Sequence, residues 1–143
     1  WWKLLYTQEK IEGWMTLYLA LTDNLANEEL LSLTKGLSLP GRKRLRVVQE
    51  RSKGLKALNL ISSGKVKSNS ALFELLNPLP LELLLYLVAK ASKEDARKAV
   101  TLHITKLRGV KNILTGNDLL RLGVKQDPSM GRILGMLHKR RLD

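Results

Sequence analysis

Apolar residues recur at helical spacing through nearly the whole chain, and no long stretch alternates apolar with polar. No Asn-Gly hairpin turn is present either. Ile11, Trp14, Met15, Tyr18, Leu19 and Leu21 predict a helix over residues 7–22. Asn27, with Glu28 and Glu29 behind it, predicts the N-cap of a short helix that stops at Gly36 after Lys35. Pro40 opens a third helix, predicted to run from residue 41 to about residue 58. The stretch ISSGKVKSNS, residues 61–70, is a loop by composition, and Ser70 is the predicted cap of the ALFELL helix after it. Pro78 and Pro80 end that helix and start another that reaches about Ala91. Ser92 and Asp95 approximate a capping box for a helix ending near Leu107, followed by a basic connector of Arg108, Gly109 and Lys111.

The last third carries the sharpest local signals. Thr115 and Asp118 form a second capping pair, and Gly123 is placed to take the left-handed conformation that ends a short helix. Asp127 caps the final helix and Pro128 occupies its first position. Met130, Ile133, Leu134 and Leu137 fall on one face of it, and Arg132 and Lys139 on another. Gly131 and Gly135 leave a strip of small residues where another backbone can approach. The predicted fold is all-α: an irregular array of about eight helices in two contiguous lobes. Residues 1–62 are expected to form an N-terminal lobe, 63–107 a central lobe, and 108–143 a helix–turn–helix tail.

Composition narrows the class. With 143 residues and 44% apolar side chains, one domain or two small lobes can bury a core. The absence of cysteine excludes disulfides, zinc fingers and thiol nucleophiles, and fits a cytoplasmic location. The chain opens on Trp1-Trp2, with no signal peptide, which reads as a piece of something longer. The longest apolar run, residues 78–89, contains Glu82 and falls short of the ~20 residues a bilayer span requires, so no membrane partner is expected.

Charge changes the picture most. There are 25 Lys and Arg against 13 Asp and Glu, a net +12. Such an excess favours a polyanionic partner. Residues 41–56, GRKRLRVVQERSKGLK, concentrate seven cations against the single Glu50. On a helix, Leu45, Val48, Ser52 and Leu55 would face the core, while Arg42, Arg46 and Lys53 line one solvent edge, with Lys43 nearby.

No catalytic set accompanies this charge. His103 and His138 lack a second metal ligand at motif spacing, and His103 reads as a packed helix residue. There is no Asp-x-Asp pair, no Gly-x-Ser-x-Gly, no His-Glu-x-x-His and no Gly-x-Gly-x-x-Gly. The Gly-Lys of SSGKVKS lacks the flanking residues of a phosphate-binding loop. Aromatics amount to only 5%, too few for a base-stacking platform, and Trp1, Trp2 and Trp14 are expected in the core of the N-terminal lobe or at a seam to sequence upstream. No catalytic, metal or cofactor site is therefore expected in this chain.

One segment carries a family resemblance. Leu114, Thr115, Gly116, Asp118, Leu119, Leu122, Gly123, Val124, Pro128, Gly131, Ile133 and Leu134 match a pattern from the C-terminal end of the bacterial class II tRNA nucleotidyltransferases. That family holds CCA-adding and A-adding enzymes and bacterial poly(A) polymerases. The opening WWKLLYTQEKIEGWMTLYLALTDNL is similar, more weakly, to the start of its body region. The resemblance implies a catalytic head and a neck that carry the chemistry, followed by an all-helical body and tail. The head's Gly-Ser and Asp-x-Asp and the neck's Glu-Asp-x-x-Arg do not occur here. The chain thus resembles body and tail alone, inactive by itself, with magnesium and ATP or CTP belonging to the head.

The implied partners are that head and neck, and tRNA held at its acceptor stem and elbow by backbone and shape. Thr115, Gly116, Asp118, Gly123, Pro128 and Gly131 would be the structural motif. Arg132 and Lys139 lie on or just beyond the motif helix, and Lys111 and Lys125 flank the motif. Family members often have glycine beside the proline, whereas this turn reads KQDPSMG, which removes a glycine-dependent approach of RNA there. The alternative is an all-helical interaction scaffold or homodimer joined through the leucine-rich residues 71–91. A DNA-binding helix-turn-helix ranks last, because no recognition helix suited to a major groove stands out.

Overall fold

A computed structural model describes residues 13–38 and 40–143, with the backbone alone for residues 43–46. Among them lie eight α-helices: α1 Gly13–Leu21, α2 Asn27–Gly36, α3 Gly41–Ser62, α4 Asn69–Leu76, α5 Leu81–Lys90, α6 Glu94–Thr105, α7 Gly116–Arg121 and α8 Pro128–Leu142. A 3-10 turn, Leu107–Gly109, follows α6, and no strand occurs among the described residues. The all-α prediction holds. The part of the first predicted helix before residue 13, together with Trp1 and Trp2, lies outside the described residues.

α5 is the hub, with α1, α3 and α6 packed around it. Its Leu81, Glu82, Leu83, Leu84, Tyr86 and Leu87 are all buried, as expected of a helix apolar nearly all round. α2 rests on α3. α4 bridges α3 and α6 to α8, and α7 packs on α8. A single apolar cluster runs from Met15 to Leu142. The leucines of residues 71–91 that would serve a dimer are largely consumed in it: Leu72, Leu76, Leu79, Leu81, Leu83, Leu84 and Leu87 are buried within this chain. No single described helix is long and apolar enough to cross a membrane. α4 and α5 would pass only as a pair, and they bend by 117° where they meet.

Several caps differ from expectation. The N-cap of α2 is Ala26 rather than Asn27, and the Glu29 carboxylate accepts its N–H at 2.7 Å. The left-handed residue after α2 is Ser38 (φ 52°), two positions beyond Gly36. α4 is capped by Ser68, whose hydroxyl accepts from Ala71 N. Ser70 is unavailable for that role because it binds Asp143. Lys93, not Ser92, precedes α6, without a side-chain cap. Of the two places expected for Trp14, the core is excluded: it is 37% exposed, its ring beside that of Tyr18.

The core-facing side of α3 is also shifted. Val47, Arg51, Gly54, Ala57 and Leu58 are buried, whereas Ser52 is half-buried, Val48 and Leu55 are half-buried against the core, and the Leu45 side chain lies outside the described ones. Gly54 is needed there: a Cβ would come within 3.0–3.1 Å of the Leu83 side chain. Arg51, one of the seven cations of the cluster, points inward and donates to the carbonyls of Asp23 (2.9 Å) and Leu25 (2.7 Å). Asp23 in turn accepts from the Tyr86 hydroxyl and pairs with Lys90 at 2.5 Å. Those two hydrogen bonds hold its carboxyl below the usual range, the Lys90 bond contributing most.

Candidate nucleic-acid interface

Turning Arg51 inward leaves the opposite side of α3 to solvent. Arg42, Gln49, Lys53, Lys56 and Leu60 are exposed there. Arg42 and Lys53 therefore occupy the solvent edge that the pattern assigned to them. The side chains of Lys43 and Arg46 lie outside the described ones. Lys56 extends the edge and belongs with the candidate residues. Its signal was available in sequence, three positions after Lys53 on a helix, but the shifted core face obscured it.

An exposed basic loop follows α3. Gly64, at φ 70°, closes the helix: its N–H reaches Ile61 O at 3.0 Å, and Lys65 N reaches Leu60 O at 3.3 Å. This double return is a Schellman motif, which folds Lys65 back over the last turn. Lys65 and Lys67 are both exposed.

The C-terminal joint is built from caps, as its sequence indicated. Thr115 caps α7, and its N–H and hydroxyl both donate to the Asp118 carboxylate at 2.9 and 2.7 Å. The hydroxyl bond, then the backbone bond, holds the Asp118 carboxyl below its usual range. Gly123 adopts φ 84°, where a side chain would be strained. Asp127 accepts from Ser129 N at 2.6 Å and Pro128 is the first residue of α8. A Cβ on Gly116 would only touch Met130, and no described part of the chain approaches Gly131 or Gly135.

Polar ties seat α8 on the rest of the molecule. Asn69 Nδ2 donates to Leu142 O at 2.9 Å, and Ser70 N and Oγ donate to Asp143 at 2.8 and 2.7 Å. The Ser70 bonds depress the Asp143 carboxyl. Asn112 donates to Leu134 O, and its Oδ1 lies 3.1 Å from His138 Nδ1. The His138 ring meets the edge of Phe73, whose other neighbour is the fully buried His103. Burial, aided by the charge of Arg108, pushes the His103 imidazole down to about 4.

The tail cations divide accordingly. Arg132 and Lys139 do share one face of α8, along an open groove with Ser129, Ile133, Gly135 and Met136. Lys139 is also paired with Glu74 of α4 at 2.7 Å. Lys111 and Lys125 are exposed, and Arg141 donates to the Lys111 carbonyl at 2.5 Å. No group of three or more acidic or histidine side chains among the described residues could hold a metal ion. The exposed cations of α3 and the tail give the described surface an attraction for anions.

Over 147 aligned positions the chain is 32% identical to the A-adding tRNA nucleotidyltransferase of Geobacter sulfurreducens, and the match takes in the whole chain. The chain is related to the tRNA nucleotidyltransferases. It spans 17% of the length of that relative, which is consistent with a C-terminal region of a tRNA nucleotidyltransferase. No protein-family model matches the chain, and no solved structure does.

Proposed function

We propose that the chain is a tRNA-holding part of a tRNA nucleotidyltransferase, without chemistry of its own, that acts in the cytoplasm. The supporting observation is the match of its whole length to a small share of an A-adding enzyme. The net +12 supplies the attraction. The acceptor stem and elbow would be gripped through phosphates and shape, so that the 3′ end reaches a catalytic head elsewhere in the polypeptide. Magnesium and the nucleotide would belong to that head. Contacts are assigned to Arg42, Lys43, Arg46, Lys53, Lys111, Lys125, Arg132 and Lys139.

Titration with a tRNA transcript at stepped salt tests this reading. Log K should fall linearly with log salt, by roughly 0.7 to 0.9 per phosphate contact. Labelled ATP or CTP should not be incorporated by the chain alone. Absence of tRNA binding at low salt overturns the reading.

A protein-interaction role draws on a different observation. Leu17, Leu21, Leu33 and Leu37 of α1, α2 and the turn after α2 are exposed by 66%, 86%, 40% and 56%. Sedimentation at several concentrations separates this reading from the first, since self-association through those leucines would raise the mass.

A further inference from the structure

We propose that the outward ridge of α3, continued by the loop at residues 63–68, carries the phosphate backbone of a double-stranded RNA stem. The inference rests on the tRNA-holding reading and deepens it. Arg42, Gln49, Lys53, Lys56 and Leu60 fall within an arc of roughly 60° at ~100° per residue. They extend over about 27 Å at ~1.5 Å rise per residue. The Schellman turn then sets Lys65 over the last helical turn, and Lys67 follows it.

What sets this ridge apart is the alignment of open charges along one helix edge. Among the described residues, no carboxylate pairs with Arg42, Lys53, Lys56, Lys65 or Lys67. Lys111, Lys125 and Arg132 of the tail are exposed as well, but they sit on separate elements, and Lys139 is offset by Glu74.

The ridge suits a duplex more than a single strand. None of its described side chains is aromatic, so nothing there stacks on an open base. An A-form stem is recognised by shape and phosphates instead. A membrane surface fits less well, because the apolar side of α3 is spent on the core and only Leu60, at 40% exposure, remains on the ridge.

The test uses the whole chain, a tRNA transcript, an RNA hairpin with a long stem, an unstructured oligonucleotide and phosphatidylserine vesicles. The Lys53→Gln/Lys56→Gln/Lys65→Gln variant should lower the salt slope for tRNA and hairpin by about two to three. Arg132→Gln should lower it by at most about one. The unstructured oligonucleotide should bind more weakly than the hairpin. Far-ultraviolet circular dichroism checks that the triple variant stays folded, and single Lys→Gln variants, each shifting the slope by about one, replace it if it does not. If the ridge variants keep the full slope while Arg132→Gln or Lys125→Gln removes it, the proposal fails and the RNA-holding reading stands. If the native chain binds no RNA, or binds vesicles instead, both fail.

Discussion

α3 and α8 are both long, basic and partly apolar, yet they are held in opposite ways. α3 buries Val47, Arg51, Gly54, Ala57 and Leu58 against the rest of the chain, and its outward Arg42, Lys53 and Lys56 have no carboxylate partner among the described residues. α8 has a single buried residue, Leu142, and is seated by Asn69, Ser70, Asn112 and Glu74 through side-chain bonds. Where apolar burial fixes a helix, its charges remain free for a partner. Where burial is scarce, polar groups do more of the fixing, and on α8 they engage Lys139 with Glu74 and Arg141 with the Lys111 carbonyl while Arg132 and Arg140 stay exposed.

The largest expected effect that would sharpen this contrast is loss of an α5 side chain beneath α3. Leu83→Ala, at a fully buried position against Gly54 of α3, should lower unfolding free energy by ~2–5 kcal/mol. Leu137→Ala on the half-open face of α8 should cost about 1 kcal/mol or less. Equal losses in urea melts would break the comparison. Acid should come next. His103 is held at about 4, below its ordinary 6.5, so the unfolded chain takes up that proton first as pH falls. Its contribution is complete above pH 6.5 and drains toward pH 4, on the order of 3 kcal/mol in all. His103→Leu should flatten the pH dependence between 6.5 and 5, and a slope unchanged by the substitution would exclude this cause.

Smaller effects probe the tail alone. Thr115→Ala removes the α7 cap and should cost ~1 kcal/mol, seen as faster amide exchange in α7 but not in α5. Glu74→Gln breaks an exposed ion pair and should shift stability by no more than about 1 kcal/mol. A larger loss would show that α8 depends on that one pair instead of its shared ties.

The local chemistry of the C-terminal joint was legible from sequence, while the caps of α2 and α6 and all distant chemistry were not. Thr115, Gly123, Asp127 and Pro128 act as their sequence indicated because each signal is complete within three residues. Ser70 was expected to cap α4, but Ser68 does so, while Ser70 binds Asp143 from 73 positions away. The core face of α3 was placed off-centre, with Val48 and Leu55 on its margin, because its middle includes an arginine. A pattern of apolar residues cannot show that Arg51 will find two backbone carbonyls in the α1–α2 turn. Likewise, Arg132 and Lys139 were correctly placed on one face, but the partner of Lys139 sits on α4.

The loop at residues 63–68 is exposed, carries Lys65 and Lys67, and leads from α3 into α4. A protease that cuts after lysine meets an accessible target there. The chain before the cut supplies Met15, Leu19, Val47, Ala57 and Leu58 to the same apolar cluster that receives Leu83, Leu84 and Leu87 from the chain after it. Tryptic nicking there severs the polypeptide but leaves its two pieces clasped around one core, and RNA lying over those lysines would slow the cut.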